Sequence, residues 1–240
     1  MNLSLKLEFE IGGFILARPL KRDRNSTRSL ILRAASKLFI ERGYTETRIK
    51  DIATEATVQY SEVFRLFEDK DSILSELVSL VINYQFELTA KYLSGITEDK
   101  LYRYAYETIL QLYVAETVEH IREMYAVSYS LPHTSKVIYR TITSKLEDAF
   151  KSSLPELDTK DFYEYEIATA GIMRGFITVP CDMYFSMDRK IRRFLESTFR
   201  IYKVSDEKIE DIIKFVSQFN FQDVANELLD TLFDYLKDRT

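Results

Sequence analysis

At 240 residues, with 46% hydrophobic and 30% charged side chains, the chain can bury one or two helical cores, and no run of its residues is long and uncharged enough to cross a membrane. Six glycines and four prolines are too few for a turn-rich sandwich or barrel, which leaves an all-α fold. The net charge of −5 speaks against nucleic acid only on average, because residues 17–50 carry ten basic side chains against three acidic ones, whereas residues 71–240 carry 20 against 28.

Residues 1–25 form an atypical extension. Leu3, Leu5, Leu7, Phe9 and Ile11 alternate with polar residues at strand period until Gly12 and Gly13 break the pattern. Arg18 to Arg24 reads as a basic arm, which suits a minor groove or, equally, plain solvent. From Ser26 the period becomes 3.6: Leu30, Ile31, Ala34, Ala35, Leu38 and Phe39 share a face, and Gly43 stands where a left-handed cap is needed. Short helices are expected over 49–56 and 60–67, and a longer one from Asp69 or Asp71 to about Leu93. The body reads as helices near 98–117, 119–130, 133–152, 159–185, 188–202, 206–218 and 221–238, with Pro180 predicting a kink or stop near Val179.

The expected organisation is the extension 1–25, an N-terminal three-helix DNA-binding domain with a helix-turn-helix over 26–70, and a helical ligand-binding and dimerisation domain over 71–240. Ile49, Ile52, Ala53 and Ala56 would pack on Val58, Val63 and Phe67, leaving Gln59, Tyr60, Ser61, Phe64 and Arg65 outward, where a recognition helix meets the major groove. Periodicity alone allows any small three-helix bundle.

The residue pattern is more specific. Ile31 to Phe39, then Glu41-Arg42-Gly43-Tyr44, Thr47, Asp51-Ile52-Ala53, Ala56-Thr57-Val58 and Val63 to Leu74 closely resemble the signature of the TetR family of transcriptional regulators. The resemblance implies a repressor that binds a near-palindromic DNA operator as a homodimer and is released by a small-molecule effector. It implies that Thr47 and Lys70 hold phosphates, with Arg28 and Arg65 as weaker candidates. Arg48 and Gln59 have the donors to read a base edge, and Tyr60 can stack on sugar or touch a thymine methyl. A salt bridge at Lys70 and a solvated Arg48 are the plainer readings. Three positions depart from the family pattern: Thr57 stands where glycine is usual, Gln59 where serine or threonine caps the helix, and Phe64 where a tyrosine is common. A β-branched residue in a left-handed turn is costly, so a differently shaped turn is expected at Thr57.

In the body, the resemblance implies that two helices per subunit form the dimer. Ala168, Gly171 and Gly175 offer a small-residue face on one, and Val224, Leu228, Leu232 and Tyr235 an apolar stripe on the other; both read equally as intramolecular core. Tyr106, Ile109, Leu110, Tyr113, Met124, Tyr125, Tyr129, Met173 and Phe176 are candidates for an apolar pocket, favouring an apolar or amphipathic effector, though each alone also reads as core. Glu107 and Glu116 could pair with a cationic ligand, or simply face solvent.

The lone cysteine, Cys181, cannot form an internal disulfide, which fits a reducing cytoplasm, the expected location. Glycine-rich phosphate loops, nucleophile elbows and metal-spaced ligand sets are missing from the sequence, so neither enzyme activity nor a cofactor or metal is expected. The competing reading is an effector-independent DNA-binding protein, controlled by a protein partner or organising DNA.

Overall fold

The computed structural model describes residues 27–236, with side chains to 231. The extension 1–25 with its basic arm, and the side chains of Leu232 and Tyr235, lie outside the described residues.

Among the described residues there are eleven helices and no strand. They are α1 (Thr27–Arg42), α2 (Ile49–Glu55), α3 (Tyr60–Leu66), α4 (Lys70–Leu93), α5 (Lys100–Thr117), α6 (Glu119–Ser128), α7 (Pro132–Phe150), α8 (Thr159–Thr178), α9 (Met187–Ile201), α10 (Asp206–Val216) and α11 (Phe221–Leu236). The all-α expectation holds. Helix α8 is shorter than the 159–185 expected. Pro180 disfavours helical geometry at the residue before it, and Val179 is extended at φ −101°, ψ 107°.

Two apolar cores divide the chain. The head core gathers Ile31, Ala35, Leu38 and Phe39 of α1 with Ile52, Val63 and Phe67, and takes Ile73 and Leu74 from the first turn of α4. The body core is built round α5, whose buried residues run almost unbroken from Tyr104 to Ala115. A helix buried on nearly all sides must be wrapped, and α4, α6, α7, α8, α9, α10 and α11 all pack against it.

Head and body are joined by more than α4. The Asp71 carboxylate accepts from His133 N at 2.8 Å and Thr134 N at 3.2 Å, capping α7 from another helix. Glu123 of α6 accepts from Thr45 N at 2.9 Å and from its hydroxyl, and His120 Nδ1 lies 2.9 Å from Ile40 O. Gly43 makes room for this contact. At φ +85° it holds the left-handed end of α1, and a β-carbon there would overlap the Glu123 carboxylate and meet the His120 ring.

Candidate functional site

The head presents α3 by way of a turn that closes α2. Val58 N donates to Ala53 O at 3.0 Å and Thr57 N to Thr54 O at 3.1 Å, the paired bonds of a Schellman motif, with Thr57 at φ +55°. The turn therefore keeps the left-handed shape that glycine favours, and threonine occupies it under strain. Thr57→Gly removes a β-branched side chain from that region at the cost of added freedom in the unfolded chain. The expected result is a gain of about 1 kcal/mol, read as a higher melting temperature; a lower one means that the threonine side chain contributes more than its strain costs.

Helix α3 begins after Gln59, whose N–H donates to the Glu62 carboxylate at 3.4 Å, while the Gln59 side chain makes no cap and stays exposed. Val63 and Phe67 are buried beneath the helix. Ser61 and Arg65 are exposed, as are the rings of Tyr60 (53%) and Phe64 (45%), which meet edge to face at 5.0 Å. Two large aromatic rings are thus left in water on the outer face of α3. Arg48, at the start of α2, is also exposed.

Thr47 and Lys70 do not face outward. Thr47 is fully buried and its hydroxyl donates to Gly43 O at 2.7 Å. The Lys70 ammonium donates to Tyr44 O at 2.8 Å and Thr47 O at 2.9 Å, and sits 4.0 Å over the Tyr44 ring. Burial lowers the Lys70 pKa, against the pull of Glu123 and Glu46. Both side chains thus hold the 43–47 loop that aims Arg48, from behind it. Arg28 is likewise engaged: it pairs with Glu76, donates to Leu66 O at 3.2 Å and lies 4.5 Å over the Phe67 ring, closing the end of α3.

Residues 31–77 match the family model described as bacterial regulatory proteins, tetR family. Over these residues the chain is similar to the TetR family. The HTH-type transcriptional regulator HbdR of Aromatoleum sp. (strain CIB) is 37% identical over 70 residues, 29% of this chain and 31% of HbdR. The chain thus spans about a third of the length of this curated relative. Beyond the head, the likeness is one of fold. The crystal structure of RolR in complex with resorcinol superposes with a TM-score of 0.62 at 16% identity, covering 80% of this chain and 95% of RolR. SmeT, the repressor of the Stenotrophomonas maltophilia multidrug efflux pump SmeDEF, gives 0.52 at 19%, covering 77% and 94%.

The body contains a cavity of about 30 Å³ among α4, α5, α7, α8 and α9. Of the expected pocket residues, Tyr129 and Met173 line it. Tyr106, Ile109 and Leu110 are fully buried in the surrounding core, and Tyr113, Met124, Tyr125 and Phe176 pack against that core without lining the cavity. The part of the wall that apolar periodicity does not reveal is polar: Glu107, Thr108 and Gln111 of α5, and Glu166 and Thr169 of α8. One signal was available. Glu166 falls on the stripe Phe162, Ala170, Met173 and Ile177, so a carboxylate sits in register with a buried face.

Burial raises Glu107 from 4.5 to about 7, with Lys145 and Arg103 pulling it down, and raises Glu166 well above its ordinary value. From the cavity wall a chain of amide and hydroxyl groups leads to α4. Tyr129 OH donates to Gln111 Oε1 at 3.1 Å, Gln111 Nε2 donates to Gln85 Oε1 at 3.4 Å, and Gln85 Nε2 donates to Tyr125 OH at 2.9 Å. Glu116 lies elsewhere, paired with the buried Lys190.

The two helices implied for dimerisation differ. Ala168, Gly171 and Gly175 are exposed along α8 beside Ile167, and a β-carbon on either glycine would meet nothing within 4 Å. Val224 and Leu228 instead belong to the body core, at 3% and 0% exposure, so the apolar stripe of α11 faces inward. The outer face of α11 is polar, with Gln222, Asp223, Asn226 and Asp230.

Proposed function

We propose that the protein is an effector-responsive transcriptional repressor that binds a near-palindromic operator as a homodimer. The observation that carries this reading is the outward face of α3, where Gln59, Tyr60, Ser61, Phe64 and Arg65 stand exposed over a head core that fixes their direction. Arg48 and Gln59 supply the base-edge contacts, and Tyr60 and Phe64 the apolar ones. Thr47 and Lys70 act by holding the loop before α2, so phosphate contacts fall to Arg65 and to backbone N–H groups.

The exposed small-residue face of α8 supports a two-fold dimer, since glycines allow a second helix to approach closely. Gly171→Glu tests this without damaging the monomer, because its new side chain enters open space. The expected outcome is a monomer in sedimentation, with an unchanged or slightly higher melting temperature and a loss of operator affinity of at least about tenfold; a dimer of undiminished strength places the interface elsewhere.

The body cavity and its chain of polar groups to α4 support release by a small molecule. RolR has been crystallised in complex with resorcinol, and SmeT is the repressor of a multidrug efflux pump, which favours the same reading here. Selection of DNA from random sequence by the purified protein tests operator binding directly. The selected site is expected to be near-palindromic, and its log affinity to fall linearly with log salt at about −0.9 per phosphate neutralised. A slope near zero overturns the DNA-binding reading.

A further inference from the structure

We propose that the body cavity is built for an organic cation, an apolar or aromatic body carrying a protonated nitrogen that sits between Glu107 and Glu166. The proposal rests on the effector reading above and adds to it the chemical class of the effector.

Two acids line the cavity, one from α5 and one from α8. Neither forms an ion pair among the described residues. Glu166 is 4% exposed, and its hydrogen bond among these residues comes from Thr169 Oγ1 at 3.2 Å, one turn along the same helix. That hydroxyl is also shared with Tyr202 OH at 3.1 Å. A buried carboxyl with so little compensation costs stability, and a structure that keeps Glu166 beside a second, partly exposed carboxyl, Glu107, on one cavity has a use for them.

The neighbouring charges leave this role open. Lys145 lines the same cavity, but its ammonium sits 4.2 Å over the Phe86 ring and its side chain is exposed. Arg103 lies close enough to act on Glu107, and its guanidinium bonds Glu98 outside the cavity. Around Glu166 the other groups are the hydroxyls of Tyr104, Tyr129 and Tyr202, which are neutral. Among the described residues, neither Lys145 nor Arg103 therefore closes an ion pair with either carboxyl.

The remaining wall suits the rest of such a molecule. Phe86, Tyr104, Tyr129 and Phe194 offer rings and Ile142 and Met173 flexible apolar surface. Aromatic faces attract a desolvated ammonium, so rings and carboxylates favour the same ligand. At about 30 Å³ the cavity holds no more than one or two waters, so an aromatic body enters by displacing Phe86, Ile142 and Met173. Those side chains lie on α4, α7 and α8.

The test uses one apolar body with three head groups: 2-(1-naphthyl)ethylamine, 2-(1-naphthyl)ethanol and 1-naphthylacetate, titrated calorimetrically into the full-length protein without DNA. The amine is expected to bind about tenfold or more tighter than the alcohol, and the acid not at all. At pH 6 the amine should also release about one proton per site, seen as an enthalpy that varies with the buffer, because the cation ionises a protonated carboxyl. Neither effect should survive in the double variant E107Q/E166Q, whose fold is checked by circular dichroism. Equal affinity for amine and alcohol, preference for the acid, no binding of any probe, or a preference retained in the double variant overturns the proposal. Operator release is measured in parallel. Amine preference without release leaves the cavity assignment standing and sinks the effector reading; release by amine and alcohol alike does the opposite.

Discussion

Asp71→Ala should lower the free energy of unfolding by about 3 kcal/mol, the largest effect expected of any polar substitution at the junction of head and body. Asp71 sits in the first turn of α4 at 7% exposure, and its carboxylate accepts from His133 N, Thr134 N and, at 2.5 Å, Thr134 Oγ1. Leu131 precedes α7 and offers no side-chain cap, so the helix depends on this carboxylate for its first N–H groups. Alanine leaves those donors beside a fully buried Thr134 with no acceptor, and each unmade bond costs about 1–3 kcal/mol before water re-enters. Asp71→Asn keeps one acceptor oxygen and should lose about half as much. Urea titration followed by circular dichroism reads both values, and a loss below about 1 kcal/mol for alanine would contradict the capping geometry.

If the proposed effector reading holds, the same contact bears on signalling. Helix α4 begins in the head core and carries Phe86 into the cavity wall, while α7 brings Ile142 and Lys145 to that wall. Asp71 fastens the start of α4 to the start of α7, so an effector entering between them would move both helices together. In the alanine variant, operator affinity should therefore depend less on effector than in the wild type, measured as the ratio of affinities with and without it.

Glu107→Gln should stabilise the protein by about 2 kcal/mol at pH 8 and change little at pH 4. The sign follows from the direction in which burial moves the carboxyl. Its folded-state value rises from 4.5 to about 7, so the folded protein holds this proton more tightly than the unfolded chain does. Below about pH 4 the group is protonated in both states and contributes nothing. As pH rises from 4.5 towards 7, unfolding releases the proton and stability falls; above 7 the full penalty remains. Each tenfold difference in proton affinity between the two states corresponds to about 1.4 kcal/mol, and the partial exposure of Glu107 reduces the total to about 2 kcal/mol. Glutamine keeps the shape without the ionisation. Thermal melts of both proteins from pH 4 to pH 8 should diverge with rising pH; curves that stay parallel, or a less stable variant at pH 8, would mean that Glu107 is compensated in the folded state.

Much of this molecule was legible in one dimension. The periodic apolar residues of α1, the left-handed Gly43, the short pair of helices at 49–66 and the acidic start of α4 are local signals, each fixed by neighbours within a turn or two. Pro180 announced the end of α8 for the same reason, since it restricts only the residue before it. The outward direction of Gln59, Tyr60, Ser61, Phe64 and Arg65 followed from helical period once Val63 and Phe67 were placed inside.

What the sequence left open depends on contacts between residues far apart in the chain. The resemblance implied phosphate contacts for Thr47 and Lys70; Lys70 reaches back 23 residues to Thr47 O, a meeting no period encodes. Val224 and Leu228 carry the same stripe whether they face a partner or their own core, and only the position of α5 decides for the core. Likewise Glu107 on α5 and Glu166 on α8 become a pair of cavity carboxyls only when the helices pack side by side. Local periodicity determined which residues form helices and which face of each is apolar; tertiary packing decided which faces meet, because burial depends on the neighbour that covers a surface and not on the surface itself.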